Sequence, residues 1–391
     1  MITLQTAENA LKTVYLGVLT EQLNLNVNPF MAKIEQTSGD VWGKEIRKLA
    51  MYGINGGVGA SSEVGDLPKA GGNNYAQFVL TLKNFYGKIE LSDKAIRASS
   101  NNTGAFVNLL NQEMEGLLQN AKNNFGRMLY GDGSGLLTKC GSLETANTRC
   151  FAVDDVKYLA EGMIVDICKL TETAAATGYD AVRITTLDRT NKKVTIDKAV
   201  TITDFGATYG LYVQNSKDSE ITGLGAIFSA NELYGLARSE YSFMTPFIKN
   251  AGKAITSDII QEVIDHVEET SGGAVNMILT SYKARRKYLQ SLETTRKNVD
   301  YMNIDGGFKA ISYNGIPIVV DRFCPDNDMY ILNSDDFKMH QLCDWRWLEG
   351  ERGNVLKQVA NKPVYTATLV KYADIICSRP AGQAKITNIL A

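Results

Sequence analysis

The chain has 391 residues, enough for two or three compact units at about 150 residues per domain. Its 41 Lys and Arg nearly balance its 43 Asp and Glu, and 44% of its residues are hydrophobic, which is typical of a globular protein. This balance argues against a nucleic-acid binder with a basic footprint over the whole domain, and against a disordered acidic chain.

The termini and the rare residues narrow the class further. No run of about 18 apolar residues occurs and the N-terminus lacks the layout of a signal peptide, so we expect a soluble intracellular protein without a membrane partner. With 34 Gly, 7 Pro and only 2 His, the composition counts against a hydrolase or a metalloenzyme. The six cysteines show no C-x-x-C spacing and are expected to be reduced and mostly buried: Cys140, Cys150, Cys168, Cys324, Cys343 and Cys377.

The first elements in the chain are an arm and a projecting loop. Apolar positions at helical spacing in 1–30 predict a short amphipathic arm that ends before Pro29. Residues 54–74 are rich in glycine and poor in large apolar side chains, which predicts a long loop. Alternating residues at 78–82 and 89–91 predict a β-hairpin at the base of that loop.

A long helix follows, beginning at Asn102 or Thr103 and stopping at Gly131 as the C′ residue. At ~1.5 Å per residue the helix 103–130 is a rod of ~40 Å, which we interpret as a structural spine. Its predicted core positions recur at three- and four-residue steps: Phe106, Leu110, Met114, Leu117, Phe125 and Met128.

The second half alternates strands and helices without a regular βαβ repeat, which disfavours a doubly wound nucleotide-binding fold. Short β-rich runs in 157–215, separated by turn signals, predict a small inserted β-barrel or sandwich. The remaining predicted elements are a helix at 257–270 capped by Gly272, a buried strand at 277–279, a basic helix from 281 to about 292, and strands at 316–320, 329–332 and 365–377.

Candidate chemical motifs are weak. Residues 57–61 loosely resemble a phosphate loop but lack its Gly-Lys-Ser/Thr ending, so we interpret them as flexible loop. The acidic turns at 132–135 and 326–328 lack the spaced ligands of a calcium loop. His266 falls on an acidic helix face, and His340 with Cys343 supplies only two ligands of a metal site. No catalytic, cofactor-binding or metal-binding residue is therefore predicted.

One basic concentration lies on the helix after residue 281. It is compatible with a surface that faces a polyanion, and equally with a solvated face or an intersubunit salt-bridge patch. Its members are Lys283, Arg285, Arg286 and Lys287.

The order of several stretches carries a family resemblance. They are Gly-Asp-Leu-Pro-Lys-Ala-Gly at 65–71 with Tyr-Gly-Lys-Ile-Glu-Leu-Ser-Asp at 86–93, Leu-Tyr-Gly-Asp-Gly-Ser-Gly at 129–135, Tyr-Gly-Leu-Ala-Arg-Ser at 234–239, Ile-Leu-Thr-Ser at 278–281 and Tyr-Asn-Gly-Ile-Pro-Ile-Val-Val at 313–320. Together they resemble the major capsid protein of tailed double-stranded DNA bacteriophages, with its Hong Kong 97-type fold. The resemblance covers nearly the whole chain except about 157–215.

The resemblance implies an α+β fold with an N-terminal arm, an extended E-loop hairpin, a spine helix, peripheral and axial domains, and here an inserted all-β domain. On this basis the expected boundaries are 1–53 for the arm, 54–92 for the E-loop, 93–156 for the peripheral domain with its spine, 157–215 for the inserted domain, 216–260 for the peripheral return, 261–340 for the axial domain and 341–391 for the C-terminal peripheral strands.

The resemblance also implies a function without catalysis or cofactors. We expect hexamers and pentamers that form an icosahedral head around double-stranded DNA, assembled in the bacterial host cytoplasm. The implied partners are further copies, a separate scaffolding protein, a portal protein, DNA held by weak non-specific contacts, and a decoration protein. An encapsulin-like nanocompartment shell is the alternative, and a cytosolic enzyme a more distant one. The expected intersubunit contacts of the E-loop are Glu63, Asp66, Leu67, Pro68 and Lys69.

Overall fold

The computed structural model describes residues 28–41, 45–93, 103–294, 301–304, 308–349 and 355–390. The chain divides into two compact units, one formed by 1–98 with 227–391 and the other by 99–226. The helices in the described ranges are α1 (Pro29–Lys33), α2 (Thr103–Met128), α3 (Leu224–Ser229), α4 (Ser257–Ser271) and α5 (Tyr282–Thr294).

The strands are numbered along the chain. They are β1 (Glu35–Thr37), β2 (Ile46–Tyr52), β3 (Asn74–Leu80), β4 (Lys83–Ser92), β5 (Leu136–Leu143), β6 (Cys150–Val153), β7 (Ile164–Lys169), β8 (Val182–Asp188), β9 (Lys193–Ile196), β10 (Tyr209–Val213), β11 (Glu232–Leu233), β12 (Leu236–Ala237), β13 (Phe247–Asn250), β14 (Met277–Thr280), β15 (Tyr301–Ile304), β16 (Phe308–Tyr313), β17 (Ile316–Val320), β18 (Met329–Leu332), β19 (Phe337–Trp347), β20 (Lys357–Gln358), β21 (Val364–Cys377) and β22 (Ala384–Thr387).

A five-stranded sheet in the first unit is organised around β21. Strand β19 pairs antiparallel with β21, β1 pairs parallel with β19, and β4 pairs antiparallel with β21 from Ser92 opposite Val364 to Lys83 opposite Ala373. Most of β21 is buried, as its nearly continuous apolar run in 373–377 requires for a central strand.

The base of the projecting loop is a hairpin of β2 and β3, paired from Ile46 opposite Leu80 to Tyr52 opposite Asn74. The predicted pairing of 78–82 with 89–91 is therefore wrong, because β4 leaves the hairpin and joins β21. The hairpin spans 46–80. Its first strand, β2, therefore lies in the segment 1–53 that was expected to be the arm, and β4 lies outside the hairpin although it falls in the segment 54–92. Alternation identifies a strand but does not identify its partner.

A seven-stranded sheet in the same unit has the order β13-β22-β18-β14-β17-β16-β15. The apolar faces of α4 and α5 pack on one face of this sheet, where both helices contribute to a single buried cluster with strands β14, β17, β18 and β22. Because β13 and β22 belong to it, the sheet draws strands from before residue 261 and from after residue 340. Strand β19 crosses the predicted 340/341 boundary and lies in the other sheet.

The second unit contains α2 and a closed barrel with the strand order β10-β5-β6-β9-β8-β7. Its interior is filled by apolar side chains of all six strands, among them Phe151, Ile167 and Leu211, each fully buried. The barrel begins at Leu136, so the predicted lower limit of 157 for the β-rich segment omits two of its strands.

The helix α2 ends at Met128, two residues before the predicted limit. The prediction of Gly131 as the C′ residue is wrong, since this residue is not in the left-handed conformation. In this turn the glycines with positive φ are Gly133 and Gly135. A close backbone approach requires a glycine on the facing helix α3, where a Cβ on Gly225 would lie 2.7 Å from the carbonyl carbon of Gly131. Of the predicted core positions, Met114, Phe125 and Met128 are buried and Leu117 is half-buried, while the side chains of Phe106 and Leu110 lie outside the described residues.

Candidate functional site

The tip of the hairpin, residues 53–73, is the most exposed apolar segment in the described chain. Val64 is 97% exposed, Val58 89% and Ile54 88%. Burying such side chains is worth about 1.5–3 kcal/mol each, and an isolated subunit does not gain it. The predicted contact residues all lie exposed in this tip: Glu63, Asp66, Leu67, Pro68 and Lys69.

The two arms of the tip meet at a narrow neck. The side-chain amide of Asn55 donates to the Oδ1 of Asn73 at 3.3 Å, and the backbone N–H of Gly57 donates to the Oδ1 of Asn55 at 3.0 Å. A Cβ on Gly57 would lie 2.7 Å from the backbone nitrogen of Gly71. The neck therefore requires glycine for close approach, and it closes the tip into a loop that is separate from the strands below it.

The outer face of the hairpin extends this apolar surface. Leu49, Met51 and Tyr75 are 65%, 67% and 57% exposed, and Met51 lies directly opposite Tyr75 in the register. These residues are absent from the predicted contacts because no strand is predicted at 46–52. The alternation of Leu49 and Met51 with small or polar neighbours was the available signal.

The inner face of the hairpin is anchored by aromatic packing. Tyr52 stacks on Phe243 with ring centroids 4.8 Å apart, and Phe78 contacts Tyr234 at 5.6 Å. The hydroxyl of Tyr234 donates to the carbonyl of Ile375 at 3.0 Å and accepts from the N–H of Cys377 at 2.9 Å, which ties the cluster to β21. A fixed base with an exposed outer face and tip is suited to contact another molecule.

The basic residues of α5 form a second, partly exposed surface. Arg286 is exposed, while Lys283, Arg285 and Lys287 are half-buried. Lys283 donates to the Oδ1 of Asn327 at 3.2 Å and Lys287 donates to the carbonyl of Ile389 at 3.3 Å. Desolvation, and then the like charge of Lys283, lower the pKa of Lys287. The structure thus groups the four predicted cations on one helix.

Two buried ion pairs hold the elements together. Arg127 at the end of α2 pairs with Glu220, both less than a tenth exposed, and desolvation raises the pKa of Glu220 although Arg127 opposes the shift. On β21 the buried Lys371 donates to Asp344 and to Gln341, each at 2.7 Å, where two register shifts in β19 bring both acceptors to it. Removing one partner of such a pair leaves a buried charge, so these residues are structural.

The described residues show no arrangement for catalysis or metal binding. They contain no group of three or more His, Cys, Asp or Glu that could hold a metal ion. Cys343 is half-buried and the other cysteines are buried, and desolvation raises the pKa of the Cys140 and Cys377 thiols, which disfavours the nucleophilic thiolate. None of the helices in the described ranges is both long and apolar enough to cross a membrane.

The histidines lie in different settings. His266 is exposed on α4 as predicted, with its ring stacked 3.8 Å from that of Phe247. His340 is buried in β19, and neither ring nitrogen has a hydrogen-bond partner within the described ranges. Neither imidazole orients a nucleophile in the described part of the chain.

Comparisons with known proteins give the family and the fold. Residues 88–355 match the family model described as SU10 major capsid protein. The capsid asymmetric unit of cyanophage A-1(L) is similar in structure, with 13% identity, a TM-score of 0.53, and coverage of 95% of this chain and 92% of that chain. The capsid of Myoviridae phage XM1 (8% identity, TM-score 0.48, 93% and 92% covered) and the holo-SrpI encapsulin of Synechococcus elongatus PCC 7942 (10%, 0.46, 93% and 88%) are less similar. Curated proteins gave no sequence match.

Proposed function

Since the chain belongs to the SU10 major capsid protein family, we propose that its hairpin is the element that joins neighbouring subunits of the capsid. The protein is a structural, non-enzymatic component of the virion capsid, with a Hong Kong 97-like α+β fold, and it assembles with copies of itself to form the phage head. We take the hexamers and pentamers of this head as rings with heterologous contacts.

The observation that carries the proposal is the two-sided character of the hairpin. Its inner face is fixed by the aromatic cluster around Phe243, while its outer face and tip expose seven large apolar side chains. An exposed apolar patch of this kind marks an interaction surface. We propose that the tip and the outer face lie over a neighbouring copy and are buried only in the assembled ring.

The proposal also assigns the sheets and helices of the chain to the regions of the capsid fold. We assign the five-stranded sheet and α2 to the peripheral region, and the seven-stranded sheet with α4 and α5 to the axial region. We assign the barrel of 136–213, which lies within the matched residues 88–355, to a module inserted in the Hong Kong 97-like fold and displayed for stability or decoration. A scaffolding protein, a portal protein and weak contacts with packaged DNA belong to the same proposal as partners.

The test removes residues 58–70 so that Gly57 is joined to Gly71 at the neck. Because the neck and the hairpin base remain, we expect a folded, soluble subunit that forms no shells in negative-stain microscopy and sedimentation. A second variant keeps the loop and changes Val58, Val64 and Leu67 to Ser, and we expect the same loss of assembly.

The matched control changes Ile164 and Ile248 to Ser, two exposed apolar residues outside the hairpin. This variant should assemble like the unmodified protein. Normal shells from both hairpin variants would refute the role of the hairpin. Shells that enclose a protein cargo and no nucleic acid would favour the encapsulin-like alternative.

A further inference from the structure

The helix α4 carries only negative charge. It has five acidic residues and no Lys or Arg: Asp258, Glu262, Asp265, Glu268 and Glu269. Glu262 pairs with Lys249, whereas Asp265, Glu268 and Glu269 are exposed. The last turn of a helix carries the negative end of its dipole, and no basic residue lies in this one. The acidic half of α4 is therefore electrostatically unfavourable in the isolated subunit.

The helix α5 has the opposite arrangement. Lys283, Arg285, Arg286 and Lys287 lie in its N-terminal half, its first turn has no acidic residue, and the positive end of its dipole lies beside these cations. Lys283 and Lys287 are four residues apart, a spacing that brings like charges together on one face. Within the described ranges none of the four cations has a carboxylate within salt-bridge distance.

Both helices cover the same face of the seven-stranded sheet and contribute to one buried cluster. Their opposite charges nevertheless form no ion pair with each other in the described part of the chain. The subunit thus carries two complementary unneutralised surfaces on one layer. A ring of identical copies joined by a heterologous interface needs such a pair, because each contact joins two different patches of the same chain.

We propose that the basic half of α5 in one copy contacts the acidic C-terminal half of α4 in the next copy around the ring. The inference rests on the proposed self-assembly and names the partner of the basic surface. Lys283 and Arg286 supply the positive side, and Glu268 and Glu269 the negative side. The carboxylates of α4 then neutralise the cations at the positive end of α5. The cations of α5 likewise neutralise the carboxylates at the negative end of α4.

The test uses two charge reversals in the full chain, Lys283→Glu with Arg286→Glu, and Glu268→Lys with Glu269→Lys. Each reversal places like charges at the contact, so we expect the yield of shells from either variant alone to fall roughly tenfold or more at moderate salt. A fourfold variant carries both reversals in one chain, so every contact around a hexamer or a pentamer again joins opposite charges. We expect the fourfold variant to regain hexamers and shells.

The matched control is Lys139→Glu with Lys362→Glu, which changes net charge equally at exposed positions outside the seven-stranded sheet and its two helices. It should assemble as the unmodified protein does. The proposal is overturned if both reversals assemble normally, or if both fail and the fourfold variant does not recover. It is also overturned if the α5 reversal forms normal shells that only retain less DNA, because the partner is then a polyanion.

Failure of the proposed self-assembly can be distinguished from failure of the contact between α4 and α5. If the unmodified chain forms no shells under any condition, self-assembly itself fails. If the unmodified chain forms shells and only the hairpin variants do not, the hairpin role stands whatever the charge reversals do. Assembly through the two helices should also weaken as salt rises, because screening acts on exposed charges.

Discussion

At the scale of single residues, His340 has an unusual environment. It lies in β19 between Thr37 of β1 and Asp374 of β21, and only 4% of its surface is exposed. Its two ring nitrogens have no hydrogen-bond partner within the described ranges. Burial, and then the positive charge of Lys338, lower its pKa below the ordinary value.

This lowered pKa predicts a stability that depends on pH. In the unfolded chain an imidazole titrates near 6.5, so as pH falls the unfolded state takes up a proton that the folded state resists. The stabilising contribution is present above about 6.5 and is lost as pH falls towards the pKa of the folded state. We expect His340→Leu to lose less unfolding free energy than the unmodified protein between pH 7 and pH 5, measured by urea unfolding.

The matched control is Met339→Leu, which alters packing at the adjacent buried position of β19 without removing a titratable group. This control should retain the pH dependence of the unmodified protein. Equal pH dependence in the His340→Leu variant would show that His340 does not contribute.

At the scale of elements, two glycines on neighbouring helices have opposite roles. A Cβ on Gly116 in α2 meets nothing within 4 Å, whereas a Cβ on Gly225 in α3 would lie 2.7 Å from Gly131. Gly116→Ala should raise the free energy of unfolding by about 0.5–1 kcal/mol, because alanine is the better helix former. Gly225→Ala should lower it by about 1–3 kcal/mol through steric strain.

Each of these variants is the control for the other, since the chemical change is identical. Urea denaturation of both measures the two effects. Destabilisation by Gly116→Ala would mean that the exposed side of the spine helix does not tolerate a methyl group.

The elements also explain what could be predicted from the sequence. The strands at 316–320 and 329–332, and the helix capped by Gly272, were predicted because their signals are local: apolar runs, turns and a capping glycine. The hairpin was assigned wrong strands because β4 pairs with the distant β21. Long-range pairing leaves little trace in periodicity.

The same limit applies to the candidate site. Composition alone predicted the exposed tip, since glycine and polar residues cannot bury a core. The exposed outer face at Leu49 and Met51 could not be predicted, because no strand was predicted at β2. The opposite charges of α4 and α5 were both visible in the sequence, but their relation required knowing that the helices share one face of a sheet.

At the scale of the whole molecule, the hairpin tip offers a site for proteolysis that assembly should remove. Lys69 lies exposed in the tip, after Pro68 and before Ala70. Trypsin should cut free subunits after Lys69 early in a time course, because extended exposed loops are preferred substrates. In assembled shells the cut should be strongly slowed, which mass spectrometry of the fragments measures.

The variant Lys69→Gln should lose the early fragment that ends at Lys69 and keep the other fragments. Cleavage after the exposed Lys253 is the internal reference against which the rate of cleavage after Lys69 is compared in subunits and in shells. Equal rates of cleavage after Lys69 in subunits and shells would contradict burial of the tip on assembly.

The position of β22 sets an order of events during synthesis. It lies between β13 and β18, so β13, made some 130 residues earlier, has no partner in its sheet until 384–387 emerge. Until then β18 has an open edge beside a partly covered apolar cluster, which is a hazard for aggregation. Completion of this sheet is therefore a late step in folding. A chain that ends before 384 leaves β13 unpaired and the cluster beneath α4 and α5 without Ala384 and Ile386, so the two charged helices lie on an incomplete layer until β22 is made.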